Sequence, residues 1–191
     1  MFDFPKNQYF TETFERRLLI VGVGNVLKSD DAFGVEVVKE MIQIGKNYSG
    51  VKILETGIGG INFIQEMMLD YKGLMIIDSY HKGGLPGTLY LLEPTVNELS
   101  HDIHELRDYY ADTHYAKPER ALQFLKAIGQ LPSYVRIVGC EPQNVEEMNI
   151  GMSLSVKNAI PKAIKLIDET ICEFSLQNDY IELNNTKEML S

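Results

Sequence analysis

Two acids, Asp31 and Asp78, stand where apolar, strand-like runs give way to loops, and they are the polar residues best placed to do chemistry. Asp31 follows the run Leu18-Leu19-Ile20-Val21 and the glycine turn Gly22-Val23-Gly24-Asn25, while Asp78 closes Leu74-Met75-Ile76-Ile77. In a doubly wound sheet of flavodoxin-like order the strands made by these runs are neighbours. They flank the switch point, where ligands of open α/β sheets gather. The carboxylates then converge on one crevice. Two hard oxygens and one imidazole suit nickel, zinc or another divalent ion and leave positions open for water or substrate.

Four histidines compete to supply the imidazole. His81 lies three residues past Asp78, in a turn. His101 and His104 form HDIHE, which has the residues of a zinc-protease HExxH in the wrong order and without an apolar helical stripe. His114 stands just before a predicted helix and so is held more firmly than the others. Each residue also has a plainer reading. Ser29, Asp30 and Asp31 suit the positive start of a helix as caps and dipole partners, and a lone loop histidine is commonly just solvated. The constellation says more than its members.

Other chemistries fit less well. Gly22-x-Gly24 after a strand hints at a nucleotide-binding module, but the third glycine of the dinucleotide fingerprint is replaced by Leu27. Asp30 and Asp31 would also repel a pyrophosphate. There is no GxSxG elbow. Cys140 and Cys172 are far apart with no CxxC partner, so neither a disulfide framework nor a thiolate zinc site is indicated, and Cys140 reads as a small buried residue at a strand end.

The elements that must position these residues follow from periodicity. After the first strand, Phe33, Val37, Val38 and Met41 recur at helical spacing, with Glu36, Lys39 and Glu40 on the wet side. Val51 to Leu54 is a second strand, followed by the loop Glu55 to Gly60 and a helix from Ile61 to Asp70 with Ile61, Ile64, Met67 and Met68 inward. The third strand ends on Asp78. Only nine residues, 79–87, separate it from the strand Thr88 to Leu92; a parallel return needs roughly a dozen or more, so this strand must run antiparallel.

Residues 94 to 116 read as a polar excursion over the active face, and loops of that length in compact domains are usually functional or mobile. A helix from Lys117 to Ile128, with Ala121, Leu122, Leu125 and Ile128 inward, precedes the fifth strand, Val135 to Val138. The last helix, Ser153 to Phe174, carries a predicted kink at Pro161. The fold class is therefore a three-layer α/β/α domain with a mixed, mostly parallel five-stranded sheet. Residues 1–16 form an N-terminal arm, 17–174 the core and 175–191 a polar, frayed tail.

At 191 residues the chain has the size of a single domain. A net charge of −9 disfavours nucleic acid or an anionic membrane as the main partner and favours basic partners or metal cations. No secretory signal or membrane-length apolar run is read, so a cytoplasmic monomer is expected.

The segments GVGNVLKSDDAFGVEVV, LMIIDS with a downstream LPGT, THYAKPERALQFLKAIGQLP and VGCEPQNVE resemble the endopeptidases that mature nickel-iron hydrogenase large subunits. The likeness runs from Arg17 to Ile171, in order and at similar spacing. It implies removal of a short C-terminal extension from the large-subunit precursor after nickel insertion. It also implies that Asp31, Asp78 and His114 contact the nickel carried by that precursor and act as the catalytic set, with an ion such as zinc taking the same donors in isolation. The chain departs from many relatives at Glu55-Thr56-Gly57, where an aspartate and paired glycines are usual. Its N-terminal arm and residues 93–112 look like additions of this branch. The rival readings are a non-catalytic nickel-sensing chaperone of the same subunit and an α/β nucleotide-binding module.

Overall fold

The computed structural model describes residues 17–57, 60–98 and 118–189. Among these, five strands form one sheet: β1 (Leu18–Val23), β2 (Val51–Gly57), β3 (Gly73–Ser79), β4 (Leu89–Leu92) and β5 (Tyr134–Cys140), in the spatial order β2-β1-β3-β5-β4. All pairs are parallel except β4 with β5, where Leu89 faces Cys140 and Leu92 faces Ile137. The short connection after Asp78 thus forces the antiparallel strand that its length predicts.

A 3-10 turn (Ser29–Ala32) leads into α1 (Phe33–Gln43). The remaining helices are α2 (Gly60–Met67), α3 (Pro118–Ala127), α4 (Leu154–Lys157) and α5 (Ile160–Met189). Alternate side chains of each central strand enter opposite cores. Leu18 and Ile20 of β1 and Met75 and Ile77 of β3 pack with Phe33, Val37 and Met41 of α1 and with Ile167 and Phe174 of α5. Leu19, Val21, Leu74 and Ile76 pack instead with Phe63 and Met67 of α2 and Leu122 and Leu125 of α3. Coverage on both faces is why these strands read as unbroken apolar runs. No helix of the described residues is long and apolar enough to cross a membrane.

The structure corrects several boundaries. α2 stops at Met67, and Met68 is exposed while Phe63 is buried in its place. Ile128 falls past the end of α3 and is partly exposed. The last helix is two helices: Asn158 and Ala159 separate α4 from α5, and Pro161 occupies the first turn of α5, where its missing N–H costs nothing and no kink is needed. α5 then runs on to Met189, through the segment expected to fray. The N-terminal arm (1–16) and most of the excursion, residues 99–116, lie outside the described residues.

α1 sits unusually close to the sheet. A Cβ added to Gly34 would lie 2.0 Å from the Ile77 carbonyl oxygen and 2.4 Å from that of Val23; one added to Gly22 would meet the Gly34 oxygen at 2.4 Å. Backbone touches backbone here, so neither side can yield as a flexible side chain would. Alanine ordinarily stabilises a helix interior by about 1 kcal/mol relative to glycine. At Gly34 the sign should reverse. Gly34→Ala is expected to cost about 1–3 kcal/mol, a fall in melting temperature of roughly 2–4 °C per kcal/mol. A thermal melt that stays level or rises would show that α1 can lift away.

Candidate active site at the carboxyl edge of the sheet

β1 and β3 are neighbours, with Gly22 paired to Ile77, so the loop leaving β1 and the residue Asp78 emerge side by side. Gly24 makes the loop possible. It has φ +137, and a Cβ there would lie 1.9 Å from the Asp31 carbonyl oxygen, so only glycine lets the 3-10 turn fold back against the strand. Asp31 is then fixed by two donors: the Asn25 N–H reaches Oδ2 at 3.0 Å and the Ser79 hydroxyl reaches Oδ1 at 3.2 Å. Asp78 accepts the N–H of Ser79 at 2.8 Å. Ser79 therefore holds one carboxylate with its side chain and the other with its backbone.

The two acids do share one crevice, as their strand positions predict. Among the described residues neither has a cationic partner. Burial first, and then the Asp31 charge, push the Asp78 carboxyl well above the usual carboxylate range; the Ser79 N–H opposes this and Glu119 adds to it. Beside them a cleft of about 400 Å³ is lined by Tyr80, Leu92, Val96, Glu119, Leu122 and Ile137 among others. His114, with His101 and His104, lies outside the described residues. Within those residues no group of three histidine, cysteine or acidic side chains is arranged to hold a metal ion.

Asp30 does not cap a helix. The 3-10 turn and α1 have no side-chain cap, and Asp30 is fully buried. Its Oδ2 accepts the N–H groups of Gln143 (2.8 Å) and Asn144 (3.1 Å) and the Ser153 hydroxyl (3.0 Å), and its Oδ1 accepts the Ser153 N–H (2.7 Å). It is an internal anion stitching the 3-10 turn to the loop after β5.

Glu141 is a second anion of this kind that sequence reasoning passed over. It accepts the N–H groups of Lys82 (2.8 Å), Gly83 (3.2 Å) and Gly84 (3.1 Å) and the Tyr90 hydroxyl (2.8 Å). Burial pushes its carboxyl up, but the Lys82 N–H, the Tyr90 hydroxyl and the Gly84 and Gly83 N–H groups outweigh it and bring the carboxyl down to about 2. The available signal was a buried-strand terminus ending in an acid, together with the unshielded pair Gly83-Gly84.

His81 is exposed, and its Nδ1 lies 3.5 Å from the Glu141 carboxylate. The Cys140 thiol is buried, and burial, with the nearby charges of Asp30 and Glu141, pushes it up to about 12. It stays protonated, which excludes it as a ready nucleophile and fits its reading as a packed strand-end residue.

Fold and site together define a doubly wound α/β protein whose working edge offers a carboxylate pair at the switch point with no cationic partner among the described residues. The profile of the hydrogenase maturation protease family HycI matches residues 35–170. The chain belongs to that family of hydrolases. Among curated relatives it is similar to coenzyme F420 hydrogenase subunit delta of Methanothermobacter thermautotrophicus, 28% identical over 165 residues that cover 83% of this chain and 96% of the relative. It is also similar to the hydrogenase 2 maturation protease of Escherichia coli, 28% identical over 152 residues that cover 79% and 88%. Among solved structures, the hydrogenase maturating endopeptidase HybD from E. coli superposes with a TM-score of 0.65 at 28% identity, over 82% of this chain and 93% of that one.

The neighbouring acids should separate cleanly in stability measurements. Asp30→Ala leaves four donors without their shared acceptor and is expected to cost about 1–3 kcal/mol. Asp78→Asn should do the opposite at neutral pH. The Asp78 carboxyl is raised on folding from an ordinary value of 3.8. Its favourable contribution is therefore complete below that value and is lost as pH rises through the folded one. At pH 7 burial of this carboxyl is a cost, and Asp78→Asn should raise stability there. Denaturant melts across the acid range should show the gain closing below about pH 4; a gain that persists there would place its origin elsewhere.

Proposed function

We propose that this protein is the endopeptidase that removes the C-terminal extension of a nickel-iron hydrogenase large-subunit precursor in the cytoplasm after nickel insertion. On this reading it recognises the nickel that the substrate carries through Asp31, Asp78 and His114. The observation that supports it most is the carboxylate pair held together by Ser79 with no described cation beside it. Two like charges in one half-buried crevice are costly, and a divalent cation arriving with the substrate would relieve that cost. Two carboxylates and an imidazole form a donor set suited to such an ion.

The arrangement also divides the labour of hydrolysis. The ion polarises the scissile carbonyl or an attacking water. Asp31, tied by two hydrogen bonds, is suited to hold the ion in place. Asp78, whose carboxyl lies above the usual range, is the better of the two at taking a proton from water near neutral pH. The cleft lined by Tyr80 and Glu119 is the natural place for the chain on one side of the cut bond.

Incubation with nickel-loaded and nickel-free precursor, followed by mass spectrometry of the large subunit, tests this directly. The loaded precursor should be shortened and the nickel-free one left intact. Asp31→Asn, Asp78→Asn and His114→Ala should each slow processing by about 10²-fold or more. Processing at the wild-type rate would remove that residue from the site. Firm binding of loaded precursor with its mass unchanged would favour the nickel-sensing chaperone.

A further inference from the structure

We propose that residues 143–154, together with Val26 and Leu27, form the surface on which the folded body of the precursor docks, separate from the segment that is cut. The identity of the partner rests on the peptidase reading; the surface itself rests on the following geometry. Past β5 the chain presents Met148, Ile150 and Leu154 at 72%, 82% and 73% exposure, and Leu27 is 48% exposed beside them. The two segments are joined: the Asn149 N–H donates to the Leu27 carbonyl at 3.0 Å, and the Ser29 N–H donates to the Asn149 carbonyl at 2.9 Å. Asn149 pairs in parallel with Lys28, so Met148 is set opposite Leu27 and Ile150 opposite Ser29. A single exposed aliphatic side chain is ordinary, but several pinned to adjoining loops mark an interaction surface.

This loop is also built to keep its shape. Asp30 accepts three of its backbone N–H groups and the Ser153 hydroxyl. The Asn144 side-chain oxygen takes the N–H groups of Glu146 (3.0 Å) and Glu147 (3.2 Å). A surface ordered before contact loses little freedom on binding.

The position of this surface identifies the occupant. Asp30, which anchors the loop, is the residue before Asp31, so the apolar patch and Asp31 hang from one 3-10 turn and keep a fixed separation. A protein substrate whose cut segment reaches Asp31 and Asp78 must bring its folded body over this edge. Glu146 and Glu147 are exposed beside Met148, so the matching face is apolar with a rim of lysine or arginine. The net charge of −9 disfavours a second copy of this chain as the occupant.

The test uses the full-length protein and nickel-loaded large-subunit precursor from the same organism, with Met148→Lys/Ile150→Lys and Glu146→Lys/Glu147→Lys double variants. Both variants should melt with the wild type, because the altered side chains are exposed. The first should raise KM by about 10-fold or more with kcat unchanged. The second should raise it less and lessen the salt dependence of binding. An unchanged KM, or a fall in kcat alone, would overturn the docking surface. So would a wild-type dimer that the first variant dissociates, which would make this face a contact between copies. If the wild type leaves the precursor uncut, that failure belongs to the peptidase reading. Calorimetric titration of uncut precursor then decides the surface, and equal or absent binding to wild type and first variant would overturn it.

Discussion

The working edge depends on the parallel pairing of β1 with β3. Because Gly22 faces Ile77, the glycine loop and Asp78 leave the sheet at the same level. Gly24 then folds the chain back so that Asp31 comes within reach of Ser79. Among the described residues no cation is paired with either carboxylate. Their closeness is imposed by strands covered on both faces and by a helix in backbone contact with them, so among the described residues it is the packing of the domain that holds them together.

Asp30 and Asp31 are chemically identical and one residue apart, and the fold uses them in opposite ways. Asp30 points inward and is met by four donors, which makes burial of its charge tolerable and turns it into a structural tie. Asp31 points to the edge with two donors and retains lone pairs for a ligand. Glu141 repeats the first solution on the other side of the edge, fixing residues 82–84 against Tyr90. The carboxylate pair is thus flanked by two satisfied anions that hold the loops around it.

Much of this was legible before the structure. Unbroken apolar runs announced parallel strands buried on both faces, and the nine-residue return after Asp78 announced the antiparallel partner. What could not be read depends on distant contacts. Asp30 looked like a helix cap because its true partners lie 113 to 123 residues away. Pro161 looked like a kink because periodicity continues across the break at Asn158 and Ala159. Met68 looked buried because helical spacing cannot say where α2 ends. The proposed third member of the site, His114, falls in a stretch without strong hydrophobic period, so its neighbours in sequence say little about where it stands.

If the proposed function holds, the carboxylate pair explains discrimination as well as chemistry. A protease that must ignore unloaded precursor gains little from better contacts to the peptide, since loaded and unloaded chains share them. It gains from a site that is unfavourable until a cation arrives, because specificity is a difference between two binding energies. The Asp31 charge already disfavours ionisation of Asp78, and a cation that restores it would give the loaded precursor an advantage the unloaded one lacks, at about tenfold for each 1.4 kcal/mol. A lysine or arginine paired with Asp31 or Asp78 would make the protein more stable and would erase that difference. The site's lack of a described cationic partner is then the feature that lets it distinguish a finished precursor from an unfinished one.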